Sequence, residues 1–395
     1  MARRNPTPGS QTSLREANRA RIVASLKQHG QLTQVELAGA TGLSPATVSN
    51  IVKELSASGI LDTSATSRSG RRAVQVRLAR KVGLVAGLHF SARRLRVAIA
   101  DIGRTVVAES QVPLAPGHRH DAELDRAVLL LTDLADSLGV SLGELQAIGM
   151  GVPAPVDRRT GAVAAPWMLP GWADVDIAAA FARRTGRPVH VEAEANLGAL
   201  AETRAGAARG AVTAAYLRAG HTVSAGLVLA GAVQAGHSGK AGQLGHVSVD
   251  PNGEPCACGN RGCLNTVAGG PALLRHFGPD SGMHRIGDLV LAAEAGDAAS
   301  RRIVADAGRH IGRAAAALVD LLDPETIVVG GELSLAGELL LSPLRHELER
   351  SVLGGAAGAP AVVPAGFAAQ AELQGAIALA VDHVDVVADT VPNPA

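Results

Sequence analysis

Aromatic residues are nearly absent from this chain: two Trp, one Tyr and four Phe make up 2% of 395 residues. Its core must therefore be filled by Ala, Val and Leu. Charge is also sparse, at 18% against 47% hydrophobic residues, which excludes a disordered chain and marks a folded globular one. The N-terminal stretch MARRNPTPGS lacks the apolar segment of a secretory signal and reads as part of a disordered leader over 1–12, with a flexible tail expected over 386–395. Two windows, Ala219–Gly239 and Ser351–Ala371, contain no Asp, Glu, Lys or Arg over about the length of a membrane span. Both are interrupted by glycine, and the second by Pro360 and Pro364, so buried strands and loops are expected there, not a membrane helix. The expected compartment is the cytoplasm. The length is too great for one ordinary core and predicts two or three domains.

The formal net charge of +1 conceals an asymmetry. Residues 1–80 carry 12 Lys/Arg against 4 Asp/Glu, or +8, while residues 81–395 carry 25 against 32, or −7. A basic module on an acidic body points to a polyanionic partner for the front end. Helical spacing of Leu14, Ala17, Ile22, Val23 and Leu26 predicts a first helix that Gly30 stops. Thr33-Gln-Val-Glu36 is a capping box opening a second helix, because the hydroxyl and the carboxylate each satisfy a free backbone donor. Gly42 permits a tight turn, and Ser44-Pro45 caps and starts a third helix with Val48, Ile51, Val52 and Leu55 inward. A small Ala38, a turning Gly42 and a core-filling Val48 give helix-turn-helix spacing. The opposite face of the third helix presents Thr47, Ser49, Asn50 and Lys53, which with Ser44 are candidates for base edges and phosphates of a double-stranded DNA operator. Beyond Gly59, a polar loop with Arg68, Arg71 and Arg72 followed by the alternating Val74–Leu78 reads as a winged extension, and residues 13–80 are the expected DNA-binding domain. The alternative, a helical docking module with a solvated basic loop, leaves the capped turn spacing and the arginine tip unexplained.

The three cysteines, Cys256, Cys258 and Cys263, lie within one eight-residue segment. Thiols so clustered suggest metal more than disulfides; thiolates favour Zn2+, and the glycines let the loop fold around it. A structural zinc takes four protein ligands, and His246 is the natural fourth. A Cys3His set has no open position, so this zinc would brace a loop and not catalyse. The competing reading is three unrelated thiols beside a core histidine.

With these segments in view the chain resembles the ROK family (repressors, open reading frames and sugar kinases), in its repressor branch with an N-terminal winged helix-turn-helix. The resemblance rests on Gly151-Val-Pro-Ala-Pro-Val-Asp157, Leu169-Pro-Gly-Trp172, Val191-Glu-Ala-Glu-Ala-Asn196, Gly242-Gln-Leu-Gly-His246, the cysteine segment and Glu325-Thr-Ile-Val-Val-Gly-Gly331. It implies two actin-like α/β lobes around a cleft over 83–385, divided at about 83–195 and 196–375, with the C-terminal segment returning to the first lobe. It also implies structural zinc at His246, Cys256, Cys258 and Cys263, a homodimer or homotetramer, and a sugar or sugar-derived effector. Strand-like runs Leu84–His89 and Leu95–Ala100 alternating with helical Asp121–Leu138 and Ala299–Leu322 agree.

A sugar kinase is the rival reading, and the motifs of catalysis are altered. In the kinases of the family the first strand enters an Asp-x-Gly-x-Thr turn; here His89 stands at the Asp and Ser91 at the Gly. Where they carry an Asn-Asp pair this chain has Ala193-Glu194. A longer carboxylate displaces a base by about an ångström, a shift that costs roughly 100-fold in rate. The sugar-contacting Glu before Leu-Gly-His is Gln243, and the one after the last cysteine is Asn265. Loss of kinase activity is therefore expected. The amides still offer donors and acceptors, so Glu194, Asn196, Gln243, His246 and Asn265 are the expected contacts of a neutral sugar or other effector, the alternative being polar residues satisfied within a degenerate cleft. A third class, a regulator that docks a protein partner, also stays open.

Overall fold

The computed structural model describes residues 11–68, 71–79, 82–278 and 281–386, and no side chain at 11, 12, 67, 68, 71 or 72. The expected leader and tail lie outside the described residues except at their inner edges. There Gln11 is already helical and Val386 is buried at 3% exposure, so both expectations reached slightly too far inward.

The head comprises α1 (Gln11–His29), β1 (Leu32–Thr33), α2 (Gln34–Thr41), α3 (Pro45–Ala57), β2 (Leu61–Arg68) and β3 (Arg71–Leu78). Local chemistry sets its corners. Thr33 and Glu36 complete the capping box, Gly42 turns left-handed at φ 66°, and the Ser44 hydroxyl accepts the Thr47 amide ahead of Pro45. Ile22, Val23, Leu26, Leu37, Val48, Ile51, Val52 and Leu55 are buried together. Leu14, expected inward, is 64% exposed, on a part of α1 that meets α3 through the Arg15–Glu54 ion pair. The wing strands pair antiparallel from Leu61↔Leu78 to Arg68↔Arg71, and β1 closes the sheet beside β3.

The first lobe holds β4 (Leu84–Phe90), β5 (Arg94–Asp101), β6 (Val106–Pro113), α4 (His120–Ser137), β7 (Leu145–Val152), α5 (Ile177–Thr185) and β8 (Val189–Ala193), with sheet order β6-β5-β4-β7-β8. α6 (Glu194–Ala205) follows directly. The second lobe holds β9 (Ala214–Ala219), β10 (Val223–Leu229), β11 (Ala232–Val233), α7 (Asn265–Ala268), α8 (Gly270–Leu274), α9 (Ile286–Glu294), α10 (Ala298–Leu322), β12 (Thr326–Gly330), α11 (Glu338–Ser351) and β13 (Ala361–Pro364), ordered β11-β10-β9-β12-β13. Each sheet is an antiparallel three-strand run followed by two parallel strands, so one topology occurs twice. The two charge-free windows are spent on β10, β11, β13 and their loops. Among the described residues no helix is long and apolar enough to cross a membrane.

The last helix of the described residues, α12 (Ala371–Asp382), crosses back onto β4 and β7 and packs along α6. Glycine makes the approach possible: a Cβ on Gly149 would lie 1.9 Å from the Ala376 carbonyl oxygen, and one on Gly375 would lie 2.0 Å from that of Leu197. Leu373, Ile377, Ala380 and Val381 of α12 then join Val85, Ala98 and Ile102 of the first lobe and the buried residues of the head in one continuous apolar cluster. Gly149→Ala is expected to lower stability by about 2 kcal/mol or more, since backbone has to move to admit the methyl. An unchanged urea midpoint would show that α12 is not seated this tightly.

Candidate functional site

On the head, α3 exposes Asn50 and Lys53, with Thr47 and Ser49 half-buried beside them. Ser44 and Thr47 share a 2.8 Å hydroxyl hydrogen bond, so both are oriented by the cap itself. The wing places Arg68 and Arg71 opposite each other and pairs Arg72 with Ser67 at the far end of the β2–β3 hairpin. The side chains of Arg68, Arg71 and Arg72 lie outside the described residues. Glu54 turns inward to Arg15 and Arg19 of α1, tying that helix to α3.

Between the lobes lies a cavity of about 520 Å³, bordered by Glu194, His246 and Asn265 of the expected effector set and also by Arg93, Trp167 and His221. Gln243 and Asn196 do not reach it; they border a smaller space behind Glu194. Asn196 is buried, and its amide donates to Glu192 Oε1 at 3.0 Å while Arg158 holds Oε2 of the same carboxylate. Asn265 Oδ1 accepts the Val223 amide at 2.8 Å, leaving its NH2 group without a hydrogen bond among the described residues. Trp167, from the first lobe, meets His246 edge-on across the cleft, with ring centroids 5.1 Å apart. His118 also borders the cavity; its Nδ1 accepts the Trp172 indole N–H at 3.1 Å. Burial lowers the pKa of both His118 and His221, so the rings on this wall are neutral.

Glu194, which stands where the family's kinases carry the Asp of an Asn-Asp pair, belongs to a buried ion network. His89 Nε2 lies 3.0 Å from Glu194 Oε2, and Arg218 Nε lies 3.2 Å from that oxygen and 3.2 Å from Glu372 Oε1. Tyr216 donates to Glu372 Oε1 at 2.9 Å. These residues come from β4, α6, β9 and α12, so both lobes and the returning helix meet on one guanidinium. Arg218 sits in ion-pair contact without hydrogen-bond alignment at Nε, and its Nη1 is buried unpartnered among the described residues. Burial alone would raise the Glu194 carboxyl, but the Arg218 charge and the His89 hydrogen bond outweigh it and hold it below its ordinary value. Burial of Arg218 would lower its pKa, and the two carboxylates raise it instead. His89 and Glu194 were expected from the sequence and Arg218 and Glu372 were not, although a charge inside the apolar strand Ala214–Ala219 and another at the start of the apolar run Ala371–Val381 were visible signals.

Above the cleft, His246, Cys256, Cys258 and Cys263 bring four donor atoms within 4.8 Å of one another. His246 Nδ1 stands 3.6 Å from the Cys256 sulfur, and the Cys258 and Cys263 sulfurs are 3.5 Å apart. Tetrahedral zinc with bonds of about 2.3 Å to sulfur needs thiolates roughly 3.8 Å apart, so donor type and spacing fit a metal ion. Gly262 makes the knot tight, since any Cβ there would strike the Asp250 carbonyl oxygen at 1.5 Å.

A winged three-helix head on a body of two like α/β lobes around a cleft defines a regulator with a kinase-like body. Residues 85–383 match the ROK family, and residues 15–62 match the winged helix-turn-helix DNA-binding family. The chain belongs to the ROK family. It is 26% identical over 354 residues to the putative xylose repressor of Caldicellulosiruptor sp. (strain Rt8B.4), covering 86% of this chain and 88% of that one. Its fold matches the crystal structure of a ROK family transcriptional regulator, a homolog of the E. coli MLC protein, with a TM-score of 0.72 at 24% identity over 95% and 97% of the two chains. The body alone matches a ROK family glucokinase from Streptomyces griseus, in complex with glucose and AMPPNP, with a TM-score of 0.68 at 27% identity over 76% of this chain and 100% of that one.

Arg218→Met leaves two buried carboxylates without their cation and is expected to cost about 3–5 kcal/mol at pH 7. Because the folded Glu194 pKa is depressed, the pairing stabilises fully above the unfolded carboxyl value of about 4.3 and is lost as pH falls through the lower folded value. The deficit of the variant should therefore shrink below about pH 4. A deficit that stays constant from pH 7 to pH 3 in denaturant titrations would remove the charge pairing from this account.

Proposed function

We propose that this protein is a cytoplasmic DNA-binding transcriptional regulator, a repressor, whose cleft senses a neutral sugar or sugar-derived molecule and which has no kinase activity. The observation that carries the reading is the His89–Glu194–Arg218–Glu372 network. A carboxylate held at one oxygen by an imidazole and lying beside a guanidinium has its pKa lowered, which makes it a poorer acceptor for a hydroxyl proton. The chain thus keeps the shape of a sugar site and occupies its centre with charge of its own. Neutral histidine rings and the free amide of Asn265 suit hydroxyl groups of an uncharged ligand.

In this reading α3 lies in the major groove with Asn50 toward base edges and Lys53 on phosphate, Ser44, Thr47 and Ser49 contribute at the margin, and the wing arginines Arg68, Arg71 and Arg72 follow the backbone or minor groove. A homodimer or homotetramer would present two heads to half-sites about one helical turn apart, or a multiple of it. Structural zinc, bound by the three thiolates and His246, would cross-link the loop that carries Gln243 and the cleft wall. The chain's own residues there set the loop's path, with His246 pressed against Trp167.

Selection of genomic fragments by the purified protein is expected to yield a discrete operator. Lys53→Ala should reduce the slope of log affinity against log salt by about one unit, and Arg71→Ala with Arg72→Ala by about two. Wild-type slopes in these variants would remove the assigned phosphate contacts. Cys258→Ser should lower zinc content and the thermal response to sugars in step. Independent behaviour would separate the knot from the cleft, and turnover of ATP on any hexose would overturn the proposal.

A further inference from the structure

A second cavity, of about 350 Å³, lies where the head joins the body, remote from the cleft. Its walls come from three parts of the molecule: His29 and Arg77 of the head, Arg104 in the β5–β6 turn of the first lobe, and Arg209 just beyond α6. Arg104 is a non-glycine residue held left-handed at φ 68°, and its guanidinium lies against Gly30, where a Cβ would be 3.0 Å from Nη2. A side chain placed at the expense of backbone strain and of a neighbouring side chain is held there by the fold.

The guanidiniums of Arg104 and Arg209 have no ion-pair or hydrogen-bond partner among the described residues, and that of Arg77 has only an exposed contact of 3.5 Å with Asp62. The nearby Asp382 is already taken by a bidentate pair with Arg204. Burial lowers Arg104 to about 10, and the Arg204 charge acts in the same direction against the pull of Asp382. Burial and the Arg209, Arg204 and Arg104 charges lower His29 as well, which keeps it neutral. Against the three guanidiniums stand Asp101, whose Oδ1 accepts the Thr105 amide, and the carbonyl ends of α1 and α6, worth about half a charge each. Asp62 is spent on Arg77 at the rim and Asp101 turns to the Thr105 amide, so the Arg104 and Arg209 guanidiniums border the cavity without a carboxylate partner of their own. Leu78, Ala201, Ala205 and Phe367 supply an apolar wall opposite.

We propose that this junction binds a small phosphomonoester, its phosphate between Arg104 and Arg209 with Arg77 at the rim, and its carbon skeleton against Phe367. Guanidiniums suit tetrahedral oxyanions because each offers paired donors. The volume is that of a small-molecule site. The position gives the ligand a consequence. α6 begins at Glu194 on the cleft and passes Ala201 and Ala205 at this cavity, about 10 to 16 Å along the same helix. A ligand here would fasten the head to the helix whose other end borders the cleft.

The test uses the full-length protein and isothermal titration with inorganic phosphate, glucose 6-phosphate and glucose at constant ionic strength. Glucose 6-phosphate is expected to bind, and Arg209→Gln, an exposed substitution, to weaken it by about tenfold or more. Arg104→Met should act in the same direction, while Arg93→Gln in the cleft should keep full affinity. Equal affinity for inorganic phosphate supports the anion site and removes the apolar wall from the proposal. No binding of either phosphorylated probe, or binding that survives Arg209→Gln and is lost with Arg93→Gln, overturns it. Glucose binding at the cleft is read separately, so a silent cleft leaves this result intact.

Discussion

The close seat of α12 against β7 and α6 is the constraint on which the architecture depends. Two positions without side chains, Gly149 and Gly375, let backbone approach backbone to distances that no Cβ allows. From that seat one helix does three things. It covers the first sheet, carries Ile377 and Val381 into the apolar cluster shared with the head, and delivers Glu372 to Arg218 in the second lobe. With few aromatics to fill gaps, close contact of small residues replaces large rings, and Trp172, Phe90 and Tyr216 are kept for the few deep positions.

The buried network shows how charge is accommodated in the interior of this fold. A lone buried carboxylate is costly unless it is paired. Here His89 and Arg218 approach the same Glu194 oxygen, and Arg218 is shared with Glu372. Such an arrangement is weak evidence for stability when set against an apolar replacement of the same shape, but it fixes geometry. One guanidinium touching carboxylates from α6 and α12 while rooted in β9 leaves little freedom in how the lobes meet.

Much of the head was legible in the sequence because its signals are local. The Thr33–Glu36 box, the Gly42 turn and the Ser44-Pro45 start each act within a few residues and formed as expected. The meeting of His246 with the three cysteines was legible for the same reason, since three of these four donors lie within eight residues. The expected effector set was less so. Glu194, His246 and Asn265 meet at the cleft, whereas Asn196 turns to Glu192 and Gln243 to a space behind. Which polar groups a neighbour claims depends on contacts distant in the chain, and periodicity holds no record of them. Arg218 and Glu372, more than 150 positions apart, belong to that class, as do Arg104 and Arg209 at the junction.

The head shares its apolar interior with the first lobe: Ile22, Leu26 and Leu37 belong to the same cluster as Ala98, Ile102 and Ile377. Such a reader is not a cassette on a string. Severed at residue 80 it would present a wet hydrophobic face, and grafted onto another body it would need a matching surface. Any signal sent from the body must therefore be sent by carrying the whole reader along, as a lever carries its handle, and not by letting it swing on a joint.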